Sequence, residues 1–193
     1  MRGMLYEEIC HIFALVVIIS TYATNVNAYN WIKEYEFPAT RLVKVTRGKD
    51  NYDHMIYSFT DAQRRSALLF VCHGVEINGE YRAYMDGELH SDYATAVDNI
   101  IRRHIKSGEV SNDFEKVYFH TCHAGYAPQK TVMMPILNKP LQMALYNKGA
   151  QGIVEHLDSQ GQVLYVQLYL DRDLSWTCPP EIPSLIIAGD SEE

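Results

Sequence analysis

Short apolar runs alternate with turn-forming clusters along the 193-residue chain, and the period of each run predicts an element. Residues 41–47 alternate polar and apolar, which predicts a strand with one buried face. Residues 54–59 are a second, weaker strand candidate. Residues 67–72 are continuously apolar and end at His73-Gly74. Such a run suits a strand covered on both faces, as in a parallel sheet. Asn78-Gly79 is a hairpin signal, Met85-Asp86-Gly87-Glu88 a second turn, and residues 81–85 between them a short strand. Behind Ser91, taken as an N-cap, the residues Tyr93, Ala96, Val97, Ile100, Ile101, His104 and Ile105 recur at helical spacing, and Gly108 closes the helix. Residues 116–121 form the next expected strand, ending at Cys122. Residues 124–138 carry Gly and Pro and are expected mostly as loop. Residues 141–148 fit a short helix stopped by Gly149. Residues 152–155 and 162–170 are strand candidates. Pro179-Pro180 opens a tail that ends in the apolar residues 184–188 and an acidic terminus.

Strand, helix, strand, helix, strand is an α/β order with part of the sheet parallel. In such sheets, ligands gather outside the carboxyl ends of the strands. Two strands end in reactive side chains. One delivers His73 and the next delivers Cys122, with a helix between them, so a right-handed crossover brings both ends to one edge.

Composition narrows the function. Hydrophobic residues make up 47% of the chain and charged residues 21%, so a packed core is expected rather than disorder. The net charge of −7 and the absence of a basic block argue against nucleic acid as a partner. Residues 12–19 are uninterruptedly apolar but shorter than the about 20 residues of a membrane span. Val26 and Ala28 occupy the small-residue positions of a signal-peptidase site. The expectation is a secretory signal over residues 1–28 followed by one domain, 29–193, secreted or periplasmic after cleavage and not inserted in a membrane. Glu7 and Glu8 weaken the basic start of such a signal. The alternative is a buried element of a cytoplasmic protein. Of the four cysteines, Cys10, Cys72, Cys122 and Cys178, cleavage would remove the first and leave an odd number, hence a free thiol.

A thiolate is a strong nucleophile that a neighbouring imidazole can generate. His73 is the candidate general base and acid, and Cys122 the candidate nucleophile. The amides of Gly74 and Cys122 are candidate donors to an oxyanion. Cys72, one residue before His73, points to the other face of its strand and is expected in the packing. His120 is a candidate pocket residue, and His123 is expected on the loop.

Phe70-Val71-Cys72-His73-Gly74 and Tyr118-Phe119-His120-Thr121-Cys122-His123-Ala124-Gly125 resemble the two signature blocks of the caspase-like cysteine peptidases, which include caspases, metacaspases, gingipains, clostripain and CHAT domains. Cys122 follows His73 by 49 residues, close to the caspase interval of about 50. Cys-His-Ala-Gly is closest to the Cys-His-Ser-Gly of metacaspases, and Met85-Asp-Gly-Glu88 is similar to their acidic turn. The resemblance is firm over residues 67–125 and loose over 40–170. It implies a caspase-hemoglobinase-like, mostly parallel sheet flanked by helices. It also implies a His73/Cys122 dyad, hydrolysis of protein or peptide substrates, and no cofactor. Asp86 in the acidic turn is a candidate substrate-binding residue, although simply making the turn is the favoured explanation. Metacaspases carry Gly at the position of Cys72 and Asp at that of His120, so a preference for basic substrate side chains is not carried over. Two other functions compete. One is a non-catalytic binding module on the same fold. The other is a metal site built from Cys72, His73, His120, Cys122 and His123.

Overall fold

The computed structural model describes residues 31–47, 52–143, 151–171 and 185–186. The expected signal (residues 1–28), residues 144–148 of the expected helix and the tail around Pro179-Pro180 lie outside them. The described residues from 32 onward gather into one compact unit. Its main sheet has eight strands. Six follow the order β2 (Thr40–Thr46), β3 (Tyr52–Thr60), β4 (Ser66–Ile77), β7 (Lys116–His120), β9 (Pro140–Met143) and β8 (Thr131–Met133). The hairpin of β5 (Glu80–Met85) and β6 (Glu88–His90) completes it by pairing with the far end of β4. A second sheet has four strands in the order β10 (Gln151–Leu157), β11 (Val163–Asp171), β1 (Trp31–Phe37) and β12 (Leu185–Ile186). One α-helix, α1 (Tyr93–Lys106), stands among the described residues.

Alternation along β4 and β7 sends side chains to two apolar layers. Leu68, Phe70 and Cys72 of β4, with Val117 and Phe119 of β7, pack with Val97, Ile100 and Ile101 of α1. Leu69, Val71 and Tyr118 point the other way and pack with Phe37, Val166 and Leu168 of the second sheet. The continuous apolar run thus does mark a strand covered on both faces. Each fully buried Leu, Ile or Phe in these layers contributes about 1.5–3 kcal/mol.

The α/β class holds, but two features of the expected sheet do not. It is mixed rather than mostly parallel: β4/β7 and β7/β9 are parallel, whereas β2/β3, β3/β4 and β8/β9 are antiparallel. Helices do not flank it on both sides among the described residues. α1 covers one face and a second sheet covers the other, and both covers demand the same apolar run.

Local corrections have equally simple causes. The N-cap of α1 is Asp92, not Ser91, because the Asp92 carboxylate accepts the Thr95 N–H at 3.1 Å. The expected helix from residue 141 begins instead as strand β9, which pairs in parallel with β7 from Val117↔Leu141 to Phe119↔Met143. Residues 124–138 are mostly loop but include a short 3-10 turn, Ala124–Tyr126, and strand β8. Both expected hairpin turns form. Asn78 and Gly79 have φ of 56° and 81°, and Asp86 and Gly87 have 54° and 82°. Two successive positive values are the signature of a type I′ turn, which suits Asn-Gly and Asp-Gly. No helix among the described residues is long and apolar enough to cross a membrane.

Candidate functional site

The chain passes from β4 through the β5–β6 hairpin and α1 to β7, which returns parallel to β4 and beside it. The register runs from Ala67↔Lys116 to Val71↔His120. His73 lies two residues beyond Val71, and Cys122 lies two beyond His120, so the two fall at the same level of neighbouring chain segments. The segments touch directly there. A methyl group on Gly74 would collide with the Cys122 carbonyl oxygen and the Thr121 hydroxyl. Gly74 therefore serves the approach of the β7 end, a reason additional to the access for substrate expected from sequence.

His73 continues the side of β4 that carries Leu69 and Val71. Its ring stacks on that of Tyr52, the first residue of β3, with centroids 4.5 Å apart and planes 21° from parallel. Burial raises the Tyr52 hydroxyl pKa far above the ordinary phenol value, with the Cys122 and Cys72 thiols adding to the effect. Tyr52 thus neighbours both halves of the candidate dyad. An open cleft of about 450 Å³ borders this point, lined by Arg47, Tyr52, His73, Gly74, Val75, Tyr84 and Leu89. Cys122 is half-buried and does not line that cleft.

Behind Cys122 the chain turns sharply. His123 has φ of 59°, in the left-handed region. Tyr126 N–H donates to the His123 carbonyl and Ala127 N–H to the Ala124 carbonyl. The Lys130 ammonium donates to the carbonyls of Ala124 and Gly125, both at 3.2 Å. These bonds fix the loop that follows the thiol.

The remaining sequence candidates sit elsewhere. Cys72 is buried on the α1 side, and burial raises its thiol pKa against an opposing hydrogen bond with Thr121, so it is held as the neutral thiol. His120 does not line the cleft. It is buried at 2% exposure, its Nδ1 makes no hydrogen bond, and burial lowers its pKa to about 3. Its position beyond Tyr118 on β7 turns it toward the second sheet. Asp86 occupies the type I′ turn, where both its oxygens accept from Arg103 Nη2, at 2.8 and 2.6 Å, and it does not line the cleft. Cys72, His73, His120, Cys122 and His123 do not form a group within mutual ligand distance. Cys72 and His73 leave opposite faces of one strand.

Sequence reasoning missed a polar network beside the cleft. Asp53, fully buried on β3, accepts from Arg47 Nε at 2.9 Å, from the Asp86 amide at 2.8 Å and from the Gly87 amide at 3.0 Å, and pairs with His54 Nδ1 at 2.8 Å. Burial works to raise the Asp53 pKa, but the bonds from His54, Asp86 and Gly87 outweigh it and hold it low. Asp53, His54 and Asp86 are, among the described residues, the group of three whose potential ligand atoms lie within 4.8 Å of one another. Arg47 and Arg103 already supply positive charge to these carboxylates, and two amides fill further lone pairs. The group is therefore an ion-pair network rather than a metal centre. The available signal was two polar residues, Asp53-His54, at the start of a strand-like run.

Comparison with family models, curated proteins and solved structures finds no match to this chain.

Proposed function

We propose that the chain is a cysteine peptidase of caspase-like type that hydrolyses peptide bonds with His73 and Cys122. The observation that carries this reading is the β4–β7 register, which sets His73 level with Cys122 while Gly74 packs on the Cys122 carbonyl. The unit β4–α1–β7 is the part of a caspase-hemoglobinase-like architecture that the reading uses. His73 takes the proton from the Cys122 thiol, and the sulfur attacks the scissile carbonyl carbon. The amides of Gly74 and Cys122 donate to the oxygen that becomes negative. His73 returns the proton to the leaving amine, and a thioester remains on Cys122. Water, deprotonated by His73, then attacks the thioester and releases the acid and the thiol. Tyr52 keeps the imidazole plane fixed through the cycle.

The cleft supports a second reading. Its lining of Tyr52, Tyr84 and Leu89 includes His73 but not Cys122, as a non-catalytic peptide-binding module would have. Iodoacetamide labelling separates the two. Under the peptidase reading Cys122 is alkylated rapidly at neutral pH, and His73→Ala slows it at least about tenfold. A rate unchanged by His73→Ala, together with no turnover of peptides, supports the binding module instead.

A further inference from the structure

Two histidines on different elements face each other beside the cleft, and each is backed by a carboxylate. His54 Nδ1 lies 2.8 Å from Asp53 Oδ2. His54 Nε2 lies 3.1 Å from His104 Nε2. His104 Nδ1 lies 2.8 Å from Glu109 Oε2. Each of these separations is that of a hydrogen bond, and each bond needs one proton between its heavy atoms. Two neutral imidazoles carry one N–H apiece, and ionised carboxylates carry none. Three bonds therefore require one proton more than the neutral rings possess. Without it, two lone pairs confront each other across the Nε2–Nε2 gap.

We infer that Asp53, His54, His104 and Glu109 form a proton-operated clasp, which fastens β3 to the C-terminal end of α1 while one extra proton is bound and releases it when that proton leaves. The extra proton sits on His104. That residue lies in the last turn of α1, where the helix carbonyls favour a cation, and its other nitrogen faces Glu109. The Glu109 carboxyl is held below its ordinary pKa by hydrogen bonds from Ser107 and His104. His54 is 1% exposed, and burial disfavours its charged form against the pull of Asp53. The three donors follow. His54 gives Nδ1–H to Asp53, while His104 gives Nε2–H to His54 and Nδ1–H to Glu109.

The other groups around the pair do not supply the missing proton. From the segment after β2, Arg47 bonds Asp53. From the β5–β6 turn, Asp86 lies near His54 but is paired with Arg103 of α1. From β4, Phe70 stacks on His54 with centroids 5.3 Å apart, and Cys72 is the strand partner of His54, buried and held as the neutral thiol. From the loop after α1, the Ser107 hydroxyl donates to Glu109 and lends nothing to the rings. Asp53 also anchors the β5–β6 turn, and its neighbour Tyr52 stacks on His73. The clasp thus ties α1 to the wall of the cleft, whether or not Cys122 is a nucleophile.

The test is a nitrogen-detected NMR titration of the histidine rings in the full chain, with metal analysis of the same sample. The expected result at the acid end is a doubly protonated His104 and a His54 protonated at Nδ1 alone. Raising the pH moves both rings together in a single step. In His104→Gln the amide donates to His54 at every pH, so the pH-dependent loss of stability on the alkaline side of that step is absent. Separate midpoints for the two rings overturn the inference, as does a pair that stays neutral in both rings at the acid end with the native fold intact. One equivalent of bound metal whose removal by chelator abolishes the coupling also overturns it. The wild-type titration decides the matter even where the variant does not fold.

Discussion

The rings of Tyr52 and His73 stack with centroids 4.5 Å apart and planes at 21°. Tyr52 opens β3 and His73 ends the apolar run of β4, so the contact joins two elements at the rim that also holds Cys122. An aromatic face that restrains an imidazole limits the geometries from which the ring can take a proton. Tyr52→Phe keeps the face and is expected to leave Cys122 alkylation within about twofold of wild type. Tyr52→Ala removes it and is expected to slow the reaction by about tenfold to a hundredfold, the penalty of misplacing a reacting group. Labelling rates read at fixed pH distinguish the two variants. Equal rates for all three proteins would show that the stack does nothing for the thiol.

Gly74 is held by space rather than by backbone conformation. A methyl group there meets the Cys122 carbonyl and the Thr121 hydroxyl, with the Tyr81 ring 3.1 Å away. Gly74→Ala is expected to destabilise the fold by about 1–3 kcal/mol, the usual penalty of overpacking. It also displaces the β7 end, so Cys122 reactivity falls with stability. Urea unfolding and alkylation of the variant report the two effects. An unchanged midpoint would contradict the close approach.

His120 carries a pH dependence of stability. Burial brings its pKa from 6.5 to about 3, so the native ring stays neutral where the unfolded chain takes up a proton. Between those values the unfolded state binds more protons. Stability therefore falls as the pH is lowered below about 6.5, by up to about 1.4 kcal/mol per pH unit from this group. His120→Leu removes the group and is expected to flatten the slope. Urea midpoints from about pH 7 down to about pH 5 measure it, and parallel slopes for variant and wild type would rule out the assignment.

Asp61 organises the turn between β3 and β4. One oxygen accepts from the Gln63 and Arg65 amides at 3.0 and 2.9 Å, and the other accepts from Arg65 Nε at 2.8 Å. Burial works to raise its pKa, but the side-chain and amide bonds from Arg65 and that from Gln63 hold it below the ordinary value. Its contribution is therefore complete above the unfolded pKa of about 3.9 and is lost as the pH falls through the lower folded value. Asp61→Ala is expected to cost about 1–3 kcal/mol at neutral pH, because the hydrogen bonds it removes are made to a charged group. The difference between the two proteins should shrink in acid, and a difference that stays constant there would count against the ionised carboxylate as its source.

Much of this arrangement is legible in the sequence. The apolar runs before His73 and Cys122, the helix between them and the Asn-Gly and Asp-Gly turns all follow from local pattern, and each is present. The segment of β9 reads equally as helix because a short apolar run has no distinguishing period, and its pairing with β7 decides the outcome. The mixed sheet was hidden because β4 looks the same whether helices or strands cover it. The clasp was invisible for a different reason. His54 and His104 are 50 residues apart, on a strand and a helix, and only folding brings their nitrogens together.

The central claim is that His73 and Cys122 act as one catalytic unit, and digestion of a mixed peptide library tests it most directly. Wild type is predicted to cleave a subset of peptide bonds, while Cys122→Ala and His73→Ala, both folded, leave them intact. Cleavage that persists in Cys122→Ala, or a folded wild type that cleaves nothing, would contradict the account.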